Sequence, residues 1–305
     1  METKNSTKKE IKRTFILGDE WLYYKFYLGP KTADAVLAEM IKPAAVEFLS
    51  SGFIDKWFFI RYGDPQPHIR LRFHLVKPPF IFNVIQAMQA LSTPYIEQDL
   101  IWKVQVDSYR REVERYGVET MAMSESLFFH DSVMIVDMLD MITGDEGEKF
   151  RWLFGVRAVD ALLDDFHFPM ERKLGLLTFL KESFGREFDI NKSLRDQLKT
   201  KYRTEKEAMT IVLDRSQDEA SEFMPLFDLL AKKSQTTAPI VSDILKLDGK
   251  GRLHSGLNDL LASYIHMLLN RLFRTKQRLH ELVIYDFLYN YYKSEIAKKK
   301  YGKKK

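Results

Sequence analysis

HIRLRFHL, residues 68–75, is the stretch on which the reading of the fold turns. Side chains alternate across an extended strand, so Ile69, Leu71, Phe73 and Leu75 share one face and His68, Arg70, Arg72 and His74 the other. The first face is an ordinary core face. The second sets two permanent cations and two imidazoles in a row, and like charges on one sheet face repel unless carboxylates or a bound anion neutralise them. It reads either as a face ion-paired to the rest of the protein or as a cradle for a carboxylate or phosphate. Arginine suits a cradle because its planar fork binds such groups bidentately.

Outward from this strand, the chain alternates between strand and helix periods. WFFIRY (57–62) reads as the preceding strand, and GDPQP (63–67) supplies turn chemistry for a hairpin into 68–75. WLYYKFYLG (21–29) is aromatic and β-prone. TADAVLAEMIKPAAVEFLSSG (32–52) has helical spacing with Pro43 as a kink or break, 80–91 reads as a helix, and DLIWKVQVDSY (99–109) reads as a strand with Leu100, Trp102, Val104 and Val106 on one face. The order β-α-β-β-α-β predicts the split, ferredoxin-like arrangement: an antiparallel sheet with both helices on one face. Ile69, Leu71, Phe73 and Leu75 then meet the helices, and the Arg/His row looks onto the open face.

From about residue 117 the pattern turns helical, with helices predicted over 118–142, 147–164, 170–185, 191–213, 217–232, 255–275 and 278–297, and 234–252 (SQTTAPIVSDILKLDGKGR) read as irregular. The fold class is therefore α+β, with a sheet-containing N-terminal half and a helical C-terminal half. Expected organisation is a flexible basic segment 1–18, a sheet-containing half 19–116, a helical half 117–297 and a lysine-rich tail 298–305.

The composition is that of a folded protein of 305 residues, without a run of about 20 apolar residues that would span a bilayer. METKNSTKKEIKR lacks the apolar core of a secretory signal, so a cytoplasmic location is expected. Cysteine is absent, which excludes disulfides, thiol catalysis and Cys-ligated metal, and no HExxH-type spacing occurs. The net charge of +4 sits largely in the two lysine-rich ends, while nothing resembles a nucleic-acid recognition motif.

Further polar groups join the strand face as candidates. In YRREVERYG (109–117), Glu112 and Arg115 stand at i, i+3 on a helical turn, a routine surface pair unless it reaches the same cleft. In SYIHMLLNRLF (263–273), His266 and Asn270 stand at i, i+4 on an apolar helix with Arg271 beside them. A histidine there can be a satisfied core residue, or a proton-transfer group, a role that the unperturbed imidazole pKa of ~6.5 suits. LFFHDS (127–132) adds His130 and Asp131, set against the plainer reading that Asp and Ser are common helix caps. Physical reasoning from these residues reaches a site for an anionic substrate with acid–base capability.

The combination W-x-Y-x-K-x-Y, RYGDPQPHIRLRF, REVERYG, ESLFFHDS and SYIHMLLNRLF, in that order over residues 20–296, resembles the C-terminal glutamate-elimination domain of class I lanthipeptide dehydratases. That domain also occurs as a free-standing protein in lanthipeptide and thiopeptide pathways, and the Met1 start and polar lead suggest the free-standing form. The resemblance implies a carbon–oxygen lyase. It expels glutamate from glutamylated Ser or Thr of a ribosomally made precursor peptide and leaves dehydroalanine or dehydrobutyrine, with no cofactor. It implies as partners the glutamylated precursor peptide and a separate glutamyl-tRNA-dependent glutamylating enzyme, without direct tRNA binding. It further implies that Arg70, Arg72 and Arg115 hold the glutamyl carboxylates and the enolate. His266 would transfer the proton, and Glu112 would orient an arginine or handle a proton. His68 and His74 are read as structural flanks. Where the family usually shows a second glycine after RYG, this chain has Val118. Rival readings are the pyridine-forming [4+2] cycloaddition enzyme of thiopeptide pathways, a non-catalytic precursor-binding subunit, and a nucleic-acid binder working through the lysine ends.

Overall fold

The structure, a computed structural model, describes residues 11–142, 146–214 and 223–302. After a short strand β1 (Thr14–Phe15) come β2 (Trp21–Leu28), α1 (Pro30–Ala35), a π-helical turn (Val36–Ile41), α2 (Lys42–Ser50), β3 (Ile54–Tyr62), β4 (His68–Leu75), α3 (Ile81–Glu97) and β5 (Ile101–Asp107). The four long strands form an antiparallel sheet in the order β3-β4-β2-β5. This is the ferredoxin-like order expected from the alternation of periods. Ile69, Leu71, Phe73 and Leu75 are all buried beneath the helices, with Phe48 of α2 edge-on to Phe73 at 5.6 Å between ring centroids.

Pro43 does not break the helical stretch. The Lys42 N–H bonds the Leu37 carbonyl five residues back, and Pro43 falls in the first turn of α2, where no donor is required. The segment 99–109 divides at Ser108 into β5 and a short β6 (Tyr109–Arg110) that pairs with β1. The segment read as a flexible lead, 1–18, therefore contains a paired strand; residues 1–10 lie outside the described residues.

The C-terminal half comprises α4 (Val113–Tyr116), α5 (Met121–Leu139), α6 (Glu146–Asp165), α7 (Met170–Glu187), α8 (Lys192–Leu213), α9 (Met224–Gly249), α10 (Leu257–Leu272) and α11 (Gln277–Gly302). One expectation is corrected: 234–252 is not irregular, because α9 runs through it to Gly249 with Pro239 inside. Leu230, Lys233, Thr237, Val241 and Ile244 form a buried stripe at helical spacing, and that burial offsets the roughly 3 kcal/mol cost of an internal proline. The first part of the 217–232 helix lies outside the described residues. At the other end α11 extends to Gly302, into the segment read as a tail. No helix among the described residues is long and apolar enough to cross a membrane.

The halves are joined along edge strand β3. A free strand edge leaves backbone groups without partners, and here side chains of the helical half supply them. The Phe59 N–H donates to Ser132 Oγ of α5 (3.2 Å), while the Asn270 amide accepts from the Arg61 N–H and donates to the Arg61 carbonyl, both at 3.0 Å. A buried ionic cluster completes the junction. Asp34 of α1 receives Arg61 of β3 (2.5 Å), Arg151 of α6 (2.6 Å) and Arg274 just beyond α10 (2.5 Å). Burial works to raise the Asp34 pKa, but the three guanidiniums outweigh it and hold the carboxyl below its usual value.

Candidate functional site

Opposed residues of an antiparallel pair share a sheet face. Arg70 is therefore flanked by Lys25 and Ile60, Arg72 by Tyr23 and Phe58, and His68 by Tyr27 and Tyr62. The face is not open throughout. Tyr109 of β6 and Phe128 of α5 close over Phe58, with ring centroids at 6.0 and 5.5 Å, so Arg72 is buried while Arg70 keeps partial exposure.

Arg72 lies in an aromatic box, its guanidinium 4.3 Å from the Tyr23 ring centroid, 4.8 Å from Tyr109 and 5.2 Å from Phe58. Ring faces stabilise a cation through their quadrupoles, but they leave the N–H groups without acceptors, and Arg72 Nε has none. Burial lowers the Arg72 pKa.

Arg70 is held differently. Its guanidinium stacks on Tyr62 at 3.5 Å, and its Nε donates to His68 Nε2 (3.1 Å). The other ring nitrogen, Nδ1, bonds the Gln66 carbonyl (2.8 Å). Arginine can only donate and a carbonyl can only accept, so His68 is fixed as the neutral Nδ1–H tautomer. Burial, acting with Arg70, also lowers its pKa. His68 thus positions Arg70, a role beyond that of a structural flank. His74 bonds Asp55 (2.7 Å) and packs edge-on to Trp21.

The 109–117 stretch folds as a bracket beside these arginines. The Glu112 carbonyl accepts from the Arg115 and Tyr116 N–H groups (3.0 Å each), which opens α4, and the Glu112 carboxylate pairs with Arg115 Nε at 3.3 Å. Both side chains are about half exposed. The Glu112 charge also acts on the buried Arg72. Gly117 turns the chain at φ +76°, and a Cβ there would lie 2.8 Å from His254 Cβ, so the glycine of the RYG motif serves both the conformation and the close approach. The bracket is anchored by Arg111, which makes a two-pronged bond to the buried Glu125 of α5 (2.7 and 2.6 Å), with the Tyr109 hydroxyl donating to the same carboxylate (2.8 Å).

Arg70, Arg72, Glu112 and Arg115 therefore form one electrostatically connected neighbourhood. His266 is held in a second polar group between α10 and α11. Its Nδ1 bonds Glu281 (2.9 Å), a fully buried carboxylate that also accepts from Arg278 and the Tyr285 hydroxyl, each at 3.2 Å. A carboxylate only accepts, so the Nδ1 proton points at Glu281. No hydrogen bond or ion pair among the described residues joins His266 to Arg70, Arg72, Glu112 or Arg115; Arg271, five residues beyond His266 on α10, feels the charge of Arg72. Asn270 serves the β3 edge, as described above. His130 is half-buried with its pKa lowered by burial, and Asp131 pairs with Lys233 (3.7 Å), so neither belongs to the arginine–glutamate rim.

Sequence reasoning missed Glu125, Glu281 and Tyr116. Two of them carried a signal. Glu281 continues the stripe Ile284, Tyr285, Leu288, Tyr292, and Glu125 lies among Ser124, Leu127, Phe128 and Asp131, where a carboxylate at a buried position needs a partner. A groove of about 560 Å³ lies elsewhere, lined by Lys181, Arg186, Arg195 and Asp286, and holds none of these side chains. No cluster among the described residues has the ligand set of a metal site.

The fold and side chains define an α+β protein with a ferredoxin-like sheet, an arginine-bearing strand and a histidine–carboxylate pair on the adjoining helices. The chain belongs to the family described as lantibiotic biosynthesis dehydratase C-term, whose model matches residues 21–292. It is 26% identical over 288 residues to the subtilin biosynthesis protein SpaB of Bacillus subtilis, covering 92% of this chain and 26% of SpaB. It thus spans about a quarter of that relative. In fold it resembles the tRNA-dependent lantibiotic dehydratase MibB from Microbispora sp. 107891, with TM-score 0.72 and 18% identity, covering 92% of this chain and 29% of MibB. It also resembles TbtD, the pyridine synthase from thiomuracin biosynthesis, with TM-score 0.60 and 14% identity, covering 91% of this chain and 99% of TbtD.

Proposed function

We propose that this protein eliminates glutamate from glutamylated Ser or Thr of a precursor peptide, in the biosynthesis of a lanthipeptide or thiopeptide. The observation that carries the reading is the joint presence of an arginine group without full carboxylate compensation and a histidine whose Nδ1 is held by a buried carboxylate. The reaction needs both. A base removes the weakly acidic Cα proton, the electron pair forms Cα=Cβ, and the Cβ–Oγ bond breaks. Glutamate departs with that oxygen as part of its new carboxylate, and the base keeps the proton. His266 Nε2 is the base, with Glu281 stabilising the imidazolium that forms. Arg70, Arg72 and Arg115 stabilise the enolate oxygen and the departing carboxylate, charges that grow along the reaction. Glu112 orients Arg115 at the rim. A separate enzyme must supply the glutamyl ester.

The test is to incubate the protein with a precursor peptide carrying glutamyl esters and to follow its mass. Release of glutamate with formation of the dehydroamino acid, abolished by His266→Ala, is expected. Wild type leaving the ester unchanged refutes the reading. The likeness to TbtD over that protein's whole length motivates a second reading, cycloaddition. A multiply dehydrated peptide that splits into a macrocycle and a leader would select it.

A further inference from the structure

The apolar row expected on one face of the 99–109 strand is not fully covered in the folded chain. Trp102 is 48% exposed, Leu100 38% and Val106 37%, and Ile96, at the end of α3 just before them, 45%. β5 is also an outer strand of the sheet. It pairs with β2 on one side, and among the described residues none of its backbone groups bonds anything on the other. The opposite outer strand, β3, shows what closure within the chain looks like, with Ser132 and Asn270 meeting its backbone. Trp102 has no residue opposite it on β2, where the register shifts, and its Nε1 donates to Gln66 at 3.4 Å. Unpaired backbone beside exposed apolar side chains is a surface that an added strand covers.

The charges on β5 specify which strand. Lys103, Gln105 and Asp107 share one face, opposite Tyr27, Lys25 and Tyr23 of β2. Lys103 is exposed, lies 5.0 Å from the Tyr27 ring centroid and makes no ion pair among the described residues. A lysine on an edge ordinarily deters foreign strands, but this strand carries an answering carboxylate of its own. Outward-facing backbone groups recur at every second residue, so an antiparallel pairing of β5 with its own copy about a two-fold axis is centred on a residue. Centred on Lys103, it sets two lysines face to face. Centred on Val104, it sets Asp107 against Ile101. Centred on Gln105, it sets Lys103 of each copy opposite Asp107 of the other and Val104 opposite Val106, and the two Gln105 amides, each both donor and acceptor, meet on the axis. Asp107 has acceptor sites to spare, because Lys25 and the Ser108 N–H (2.7 Å) take only part of what an ionised carboxylate offers. Lys25 stands between Gln105 and Arg70 in register, so this edge adjoins the arginine-bearing strand face.

We propose that the outer edge of β5 is a docking surface for a second copy of this chain. The two β5 strands pair antiparallel about Gln105 and join two four-stranded sheets into one continuous sheet. The contact is isologous, and it does not depend on the elimination reading.

Analytical ultracentrifugation of the full chain tests it. Wild type should sediment as a dimer at about 100 µM, where even a Kd of about 10 µM leaves most chains paired, and should dissociate on dilution. Gln105→Lys and Gln105→Glu each put like charges face to face on the axis and should weaken the dimer at least about 10-fold. An equimolar mixture of the two puts opposite charges there and should restore it. Circular dichroism checks folding, and Gln105→Glu, which keeps the side chain's size, answers alone if Gln105→Lys does not fold. A monomeric wild type at about 100 µM overturns the proposal. So does a dimer that neither variant weakens, or a mixture no tighter than either variant alone. Protection of the β5 amides from hydrogen exchange in such a monomer, only after a glutamylated precursor peptide is added, would give the edge to a peptide strand instead of a second copy.

Discussion

Glu281→Gln isolates the charge on the partner of His266 with little change of shape. Glu281 is fully buried and accepts three hydrogen bonds, from His266 Nδ1 at 2.9 Å and from Arg278 and Tyr285 at 3.2 Å. Glutamine keeps one acceptor oxygen, but it turns a donor toward a site that supplies only donors, and it removes the negative charge facing the imidazole. A hydrogen bond to a charged group is worth about 1.5–3 kcal/mol. In the proposed mechanism the imidazolium forms as the proton is abstracted, so that loss falls on the barrier. The expected effect is a reduction in kcat of roughly 10- to 150-fold with a smaller change in KM. The assay is single-turnover elimination on a glutamylated peptide across pH, with circular dichroism to establish folding. A folded variant with kcat within about twofold of wild type would refute the reasoning.

Three other perturbations test the frame around the site. Asp34→Ala strips the counter-charge from two buried guanidiniums and should cost about 3–5 kcal/mol in urea unfolding; a loss below about 1 kcal/mol would mean that the cluster does not join the halves as argued. His68 has a lowered folded-state pKa, so below about pH 6.5 the unfolded chain takes up a proton that the folded chain resists, and stability falls with pH toward the lowered value while being complete above about 6.5. His68→Leu should flatten that part of the stability–pH curve, and an identical slope in the variant would count against the fixed tautomer. Gly117→Ala places a Cβ 2.8 Å from His254 at positive φ and should destabilise by roughly 1–3 kcal/mol; an unchanged melting temperature would show that the bracket can yield.

The period-2 alternation of 68–75, the turn residues 63–67 and the helical spacing on either side were enough to place the ferredoxin-like order. The sign of the strand face was legible for the same reason: alternation is local, and charge stays with its residue. The 234–252 segment misled because a proline and a polar run are local signals, whereas the stripe Lys233, Thr237, Val241, Ile244 gains its stability from helices distant in sequence. The basic face could not be read as partly covered, since what covers it, Tyr109 and Phe128, arrives from other elements.

By itself, then, the sequence determined the α+β class, the strand that bears Arg70 and Arg72, and the residue types that proton transfer and carboxylate binding require. Only the tertiary structure decided which charges are cancelled. Asp34 neutralises Arg61 and Arg151, Glu125 holds Arg111 and Glu281 holds His266, while Arg72 and Arg271 are buried with no carboxylate at ion-pair distance among the described residues. The reason is physical: compensation of a buried charge depends on distances of a few ångströms between residues from 14 to more than 100 positions apart, and no local pattern encodes those distances.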